Sequence, residues 1–473
     1  MRAVLFRTGK SQSRSPHAQQ SSILKAIEGA DKKRKARADL LNTERPITDN
    51  VTVLVGLIPL LLGVVLCTRI TFGSDVAGAL FLAGCYAVPL IVYELLVRQS
   101  HRNTSTGLDW TSERGAEPTR VALKLIGLLS ILLAVALVHT VFRIYTPLQL
   151  KAPLVAAVMV APTALAAVAL YFWVVDRRMR QPKDGYWELG AWLCGRNPAP
   201  DTAILKDFVL GWAIKGFFLP IMFTYLADGV GFMQSQIALL SGGPVEVASY
   251  LIRVALVLEL TIVVVGYTMT ARLFDAHIRS PNRYLAAWVV TLICYQPLNL
   301  IVFGQVLPFR GEKDWSTVIG DYPSLMGPWL VLLLGSFAFY VWATAIYGLR
   351  WSNLTHRGII TTGPYRYMKH PDYVAKSAYF WLTAAPFLTA ATPWGAVTGS
   401  LALLAVNAIY YGRARMEEKH LSEDPAYVAY ALEMNDRSIF RGVARIFPML
   451  RYRAPGSTWT EPSAPDGSLT VTK

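Results

Sequence analysis

Long apolar runs separated by short polar connections dominate the chain. Eight of them cover 51–70, 75–97, 121–142, 153–175, 207–226, 248–271, 284–303 and 326–348. A hydrocarbon core about 30 Å thick takes roughly 20 helical residues, so each run is long enough to span it. Two shorter runs, 374–390 and 395–412, predict a helical hairpin. Helices satisfy their own backbone hydrogen bonds in lipid, where water cannot. The pattern therefore predicts an all-α fold, a polytopic membrane helical bundle of about ten transmembrane helices.

Composition agrees: 53% of the 473 residues are hydrophobic and 16% are charged. The formal net charge of +15 invites a nucleic-acid partner, but its placement argues for a membrane. With the N-terminus in the cytosol, most Lys and Arg fall in cytosolic tails and loops, while the outer loop 227–247 has none. This is the positive-inside bias. It predicts both termini in the cytosol, a bilayer as partner and no nucleic acid. The expected location is a bacterial inner (cytoplasmic) membrane. The first apolar run follows a tail too long and too charged for a signal peptide. That tail, residues 1–50, carries 11 Lys and Arg, including Lys32, Lys33, Arg34 and Lys35. It reads as an orientation determinant, or as a surface helix with Ile23, Leu24 and Ile27 on its lipid side. Cys67, Cys85, Cys194 and Cys294 have no short-range pairing, which supports neither a metal site nor a disulfide framework.

Four parts are expected: a basic tail (1–50), a seven-span region without a readable motif (51–325), a C-terminal membrane core (326–450) and a Pro- and Ser-rich tail (451–473). The loop 176–206 has a basic start and an aromatic middle (Tyr186, Trp187, Trp192). It reads as an interfacial anchor or as a lid. Lys215 and Glu259 lie at similar depth in two spans and suggest an intramembrane pair.

The chemistry concentrates in HRGIITTGPYRYMKHPDY, residues 356–373. Gly363-Pro364 and His370-Pro371 are turn formers that stop a helix. Arg366, Lys369 and His370 supply cations and donors, and Tyr365, Tyr367 and Tyr373 supply aromatic faces for a purine or a sulfonium. A second cluster follows the hairpin, with Arg413, Arg415, Glu417, Glu418 and Lys419. Adjacent carboxylates on a helix diverge by about 100°, so one can face a pocket while the other pairs with a base. A tight hairpin returns this cluster to the membrane face that carries His370.

These two motifs resemble the isoprenylcysteine carboxyl methyltransferase family of integral membrane enzymes. Members show a segment like H-G-[LIV]-V-T-x-G-P-Y-R-x-x-R-H-P-x-Y, a helical hairpin, then E-E-x-x-L and Y-x-x-Y. Here Gly358, Thr361, Gly363, Pro364, Tyr365, Arg366, His370, Pro371 and Tyr373 match, followed by Glu417, Glu418, Leu421, Tyr427 and Tyr430. Arg357 splits the His-Gly step, and Lys369 replaces an Arg. The resemblance implies S-adenosylmethionine as cofactor, bound by Gly358, Ile360, Gly363, Pro364, Tyr365, His370, Pro371, Tyr373, Glu417 and Glu418. His370, Glu418 and Arg366 are the implied catalytic residues. Methyl transfer is a direct displacement that needs positioning more than covalent help. The expected acceptor is a lipid or prenylated substrate, carboxylate or amine, reached from the cytosolic face. Two alternatives stay open: an NADPH-dependent membrane reductase, which the paired Glu fits less well, and a non-catalytic transporter or scaffold.

Overall fold

The structure is a computed structural model that describes residues 46–111, 115 and 117–456. The basic run 32–35, the proposed surface helix near Ile23 and the end of the Pro- and Ser-rich tail lie outside the described residues. Helix accounts for 74% of the structure. Strand is confined, among the described residues, to a two-residue ribbon of β1 (Ser280–Pro281) and β2 (Thr355–His356).

Residues 46–420 form one compact unit. In chain order its helices are α1 (Asn50–Cys67), α2 (Asp75–Val92), α3 (Pro118–Phe142), α4 (Pro147–Asp176), α5 (Gly185–Leu193), α6 (Thr202–Ser235) and α7 (Pro244–Thr268). There follow α8 (Leu285–Leu292), α9 (Leu298–Ile301), α10 (Trp315–Gly320), α11 (Pro323–Ala345), α12 (Pro371–Ala384), α13 (Pro386–Thr389) and α14 (Pro393–Leu421). Eight helices among the described residues are long and apolar enough to cross a membrane: α1, α2 with its π-helical extension, α3, α4, α6, α7, α11 and α14. Caps fix several starts. Asp49 accepts from Thr52 N at 2.9 Å to open α1, a reciprocal capping arrangement. Leu60, Leu82, Phe218, Leu226 and Ile262 of α1, α2, α6 and α7 are fully buried in the main core.

The all-α bundle matches the sequence pattern, but two of the ten expected spans are broken. The run 284–303 is not one helix: α8 ends at Leu292, a turn follows, and α9 resumes at Leu298. Pro297 explains the break, since it offers no N–H and excludes helical geometry from the residue before it. The run 374–390 splits into α12 and α13 at Pro386. At 1.5 Å per residue, the 14 residues of α12 reach only about 21 Å. The Lys215–Glu259 pair is also absent. Lys215 donates to Thr270 Oγ1, while Glu259 accepts from the Tyr340 hydroxyl at 2.6 Å. Each is partnered instead by a neutral hydroxyl. The loop 176–206 forms α5, which packs along α3. Lys124 of α3 bridges Asp176 and Asp184 at 3.1 Å each.

Buried charge ties the N-terminal spans to the segment before the motif. Arg350 donates to Glu94 at 2.6 Å and to the carbonyls of Phe274 and Asp275 at 2.8 and 3.2 Å. Glu94 is fully buried and Arg350 nearly so. Such a pair is tolerated because its remaining hydrogen-bonding capacity is filled.

From Leu421 onward the chain belongs to a second compact unit. It contains α15 (Pro425–Arg437) and α16 (Arg441–Ile446). Tyr427 packs against the rings of Tyr430 and Tyr452 at 6.0 and 5.9 Å. Asn435 and the backbone of Tyr452 exchange two hydrogen bonds, 2.9 and 2.8 Å.

Candidate active site

Proline and glycine set the local course of the motif. A single 3₁₀ turn (Gly363–Arg366) follows an extended Thr362, and Pro371 then opens α12 at its first position, where a missing N–H costs nothing. The chain reverses through α13, and α14 brings Glu417 and Glu418 back beside His370 and Tyr373. The Tyr373 hydroxyl donates to Glu417 Oε2 at 3.1 Å. His370 Nε2 lies 3.3 Å from Glu418 Oε1, and the His370 and Tyr373 rings stack at 5.5 Å. Residues separated by 44 and 48 positions thus converge.

The two carboxylates divide their roles as the helical angle predicts. Glu418 is buried and takes Lys369 at 2.5 Å, Arg415 at 2.5 Å and His370. Glu417 is more open, with 38% of its side chain exposed against 5% for Glu418. It lines a cleft that it shares with Tyr373, Arg413 and Asn353. Burial opposes the charged form of His370, but the hydrogen bond to Glu418 and the charges of both carboxylates outweigh it, so its pKa rises. Burial lowers the Lys369 pKa against the pull of Glu418.

Aromatic and amide groups complete the cleft. Arg413 is buried, donates to Asn353 Oδ1 at 3.2 Å, and sits over the rings of Tyr295, Tyr373 and Tyr410 at 5.6, 5.3 and 5.6 Å. Its Nε has no hydrogen-bond partner among the described residues. Asn353 is held in turn by Tyr267 and Tyr295, at 3.1 and 3.0 Å. Asp372, Tyr347, Trp351 and Met416 also face the cleft, as does His420, which meets Ser280 Oγ at 2.9 Å.

The remaining residues of the sequence motif sit elsewhere. Tyr373 and Glu417 line the cleft, and His370 and Glu418 lie directly behind them. Gly358 has φ +109°, and a Cβ there would come 2.3 Å from Ile47 Cδ1, so it makes room for Ile47 in the lead into α1. Ile360 packs in the main core. Gly363 abuts Ile346, and Pro364 is buried within the 3₁₀ turn. Tyr365 packs edge-on against Tyr347 at 5.5 Å, one ring removed from the cleft. Pro371 starts α12, and Arg366 is exposed. Leu421, Tyr427 and Tyr430 belong to the second unit. Arg357, which splits the family's His-Gly step, points away into the bundle. It donates to the carbonyls of Gly266, Met269, Ala276, Leu349 and Trp351.

Sequence reading missed Asn282, Thr291, Tyr295 and Asn353. They come from the residues flanking the β1–β2 ribbon, from α8 and from the turn after it, which no short motif connects to residues 356–373. One signal was present: Ala287 and Thr291 form a small, polar i,i+4 face on an otherwise apolar run.

The phospholipid methyltransferase family matches residues 316–424, the part that carries the 356–373 motif and the Glu417–Leu421 cluster; Tyr427 and Tyr430 lie beyond it. It is a membrane methyltransferase family related to the isoprenylcysteine carboxyl methyltransferases. No curated protein and no solved structure matches the chain. The family match and the eight apolar helices support an integral, multi-pass membrane methyltransferase.

Proposed function

We propose that the chain transfers a methyl group from S-adenosylmethionine to a lipidic acceptor at the cytosolic face of a bacterial inner membrane. The observation that carries this reading is the junction of Tyr373 with Glu417 and of His370 with Glu418 at one cleft, inside the family-matched segment.

The donor set fits the cofactor. S-adenosylmethionine bears two cations and one carboxylate, and it supplies an activated methyl group when bound. Glu417 and Asp372 suit the cations, and the buried, unpartnered Nε of Arg413 suits the carboxylate. Trp351 and Tyr373 offer aromatic faces worth about 0.5–2 kcal/mol to a neighbouring cation. Phosphate-rich NADPH would meet two carboxylates instead, so the same cleft disfavours the reductase.

The protein's contribution is orientation and exclusion of water. Lys369 and Arg415 fix Glu418, Glu418 fixes His370, and His370 with Tyr373 fixes Glu417. Against the cost of burial, the hydrogen bond to Glu418 and the charges of both carboxylates raise the His370 pKa and favour its charged form. Glu417 is then the acid–base group that faces an amine acceptor; a carboxylate acceptor requires none.

Calorimetry on the protein in lipid nanodiscs tests the reading. S-adenosylmethionine and S-adenosylhomocysteine should bind saturably, and His370→Ala and Glu417→Ala should weaken both. Binding of NADPH alone, or of none of the three, overturns it.

A further inference from the structure

Residues 176–206 contain six basic and four acidic side chains, and the two signs are used differently. Asp176 is buried between Arg120 and Lys124, at 2.6 and 3.1 Å. Asp184 takes Lys124 at 3.1 Å and caps α5 through Trp187 N at 3.1 Å. Glu188 is buried and accepts from Asn197 and from Asp201 N, at 2.8 and 3.2 Å. Asp201 caps α6 through Ala203 N and Ile204 N, at 2.9 and 3.1 Å. Every carboxylate of the segment is therefore committed to the scaffold.

The basic side chains are held on aromatic rings instead. Arg177 stands over Trp173 at 4.9 Å, Arg178 over Trp110 at 5.3 Å and Lys183 over Trp187 at 4.7 Å. A ring face positions a cation without consuming its hydrogen-bond donors. Among the described residues, Arg177 and Lys183 have no carboxylate partner. The backbone beneath them is clamped to the loop after α2: Asp109 N donates to the Arg178 carbonyl at 2.6 Å, and Arg180 N to the Gly107 carbonyl at 3.0 Å. Met179 enters a small core with Leu108 and Val175, which puts Arg178 and Arg180 on the opposite side of this bridge. Beside them α5 is pressed onto α3 at Gly127 and Gly190, where an added Cβ would lie 2.0 and 1.9 Å from the carbonyls of Tyr186 and Leu123. At the end of α5, Trp192 and Leu193 are 49% and 52% exposed.

We infer that this rim is a docking surface for anionic phospholipid, with Arg177, Arg178 and Lys183 meeting the headgroup phosphates and Trp192 and Leu193 entering the acyl region. The segment joins two membrane-spanning helices, α4 and α6, so it lies at headgroup depth, the layer that indole rings favour. A basic cluster at that depth attracts anionic lipid, and carboxylates already paired inside the scaffold add little repulsion. A zwitterionic headgroup gains less, because its own amine opposes the same cations. This selectivity does not depend on the chemistry assigned to the cleft.

Hydrogen exchange on the full chain in nanodiscs provides the test, with phosphatidylcholine compared against phosphatidylcholine mixed with phosphatidylglycerol. Phosphatidylglycerol should slow exchange several-fold in peptides from 177–196, and high salt should remove the effect. Arg177→Gln combined with Lys183→Gln should abolish the difference between the two bilayers. Where the double variant also loosens the peptides of α7, Lys183→Gln alone takes its place and should weaken the difference. Equal exchange of the parent in the two bilayers overturns the inference, as does a phosphatidylglycerol effect that survives these substitutions undiminished. Protection of the same peptides by S-adenosylmethionine and not by phosphatidylglycerol also overturns it, and identifies the segment as a lid.

Discussion

Neutralising the two adjacent carboxylates one at a time should separate fold from function. Glu418→Gln removes the charge that Lys369, His370 and Arg415 share. The side chains of Glu418, Lys369 and His370 are 5%, 13% and 15% exposed, so water cannot readily replace it. Removing one partner of a buried ion pair costs about 3–5 kcal/mol. Gln retains one acceptor, which puts the expected loss near the lower figure. Glu417→Gln differs in kind. Its side chain is 38% exposed, and the Gln carbonyl can still accept from Tyr373. The expected stability change is below about 1 kcal/mol, as for exposed pairs. Its effect should appear in cofactor binding. A lost hydrogen bond to a charged group is worth about 1.5–3 kcal/mol, or about a 10- to 150-fold rise in Kd. Equilibrium unfolding in mixed micelles measures the first quantity, and calorimetry in nanodiscs the second. Equal destabilisation by the two variants would refute the division of roles. So would a Glu418→Gln protein as stable as the parent.

Three further outcomes follow from the surrounding structure. Arg357→Met leaves five backbone carbonyls without their donor and should cost about 3–5 kcal/mol in the same unfolding assay; Arg357→Lys should recover only part, because Lys lacks the planar fork. Gly358→Ala forces a residue into φ +109° against Ile47 and should cost about 1–3 kcal/mol; adding Ile47→Ala should return the steric share and leave the backbone share. His370 has a folded pKa above its ordinary 6.5, so its stabilisation is complete at pH below about 6.5 and fades as pH rises through the folded value. The stability gap between the parent and His370→Gln should therefore shrink toward alkaline pH, with Glu417, Glu418 and Lys369 as the charged neighbours that set the midpoint; a gap that widens contradicts this assignment.

The helical bundle was legible because lipid leaves the backbone few options, and long apolar runs report it directly. The broken runs were less so. Periodicity sees 284–303 as one apolar stretch, whereas Pro297 stops it and the cleft uses the two halves differently. The convergence of Glu417 and Glu418 on the face that carries His370 was readable, since a tight hairpin returns its second arm beside the first. Tyr295 and Asn353 were not readable. Their roles come from tertiary contacts, a ribbon two residues long and a cage around Arg413, and neither leaves a periodic or spaced signature. Gly358 and Arg366 share the segment but do not line this cleft. A motif collects residues that share a segment, but a turn sends their side chains in different directions.

The departure from the family pattern has a structural reason of its own. Arg350 and Arg357 bracket the turn that leads into the motif. Arg350 reaches Glu94 of the α2 extension and the carbonyls at Phe274 and Asp275. Arg357 reaches carbonyls at the end of α7, in the loop after it, and at Leu349 and Trp351. Both are nearly fully buried, where a guanidinium is costly unless every donor finds an acceptor. Without the end of α7 and the loop after it, the carbonyls of Gly266, Met269 and Ala276 would be missing, and the Arg357 guanidinium would lack most of its acceptors. Here the loop after α7 supplies them. The extra residue is thus accommodated by the additional spans, and it fixes the same turn whose Trp351 and Asn353 line the cleft. The spans before the matched segment therefore contribute to the site in two ways, by clamping this turn from behind and by supplying Ala287 and Thr291 of α8 to the cleft lining.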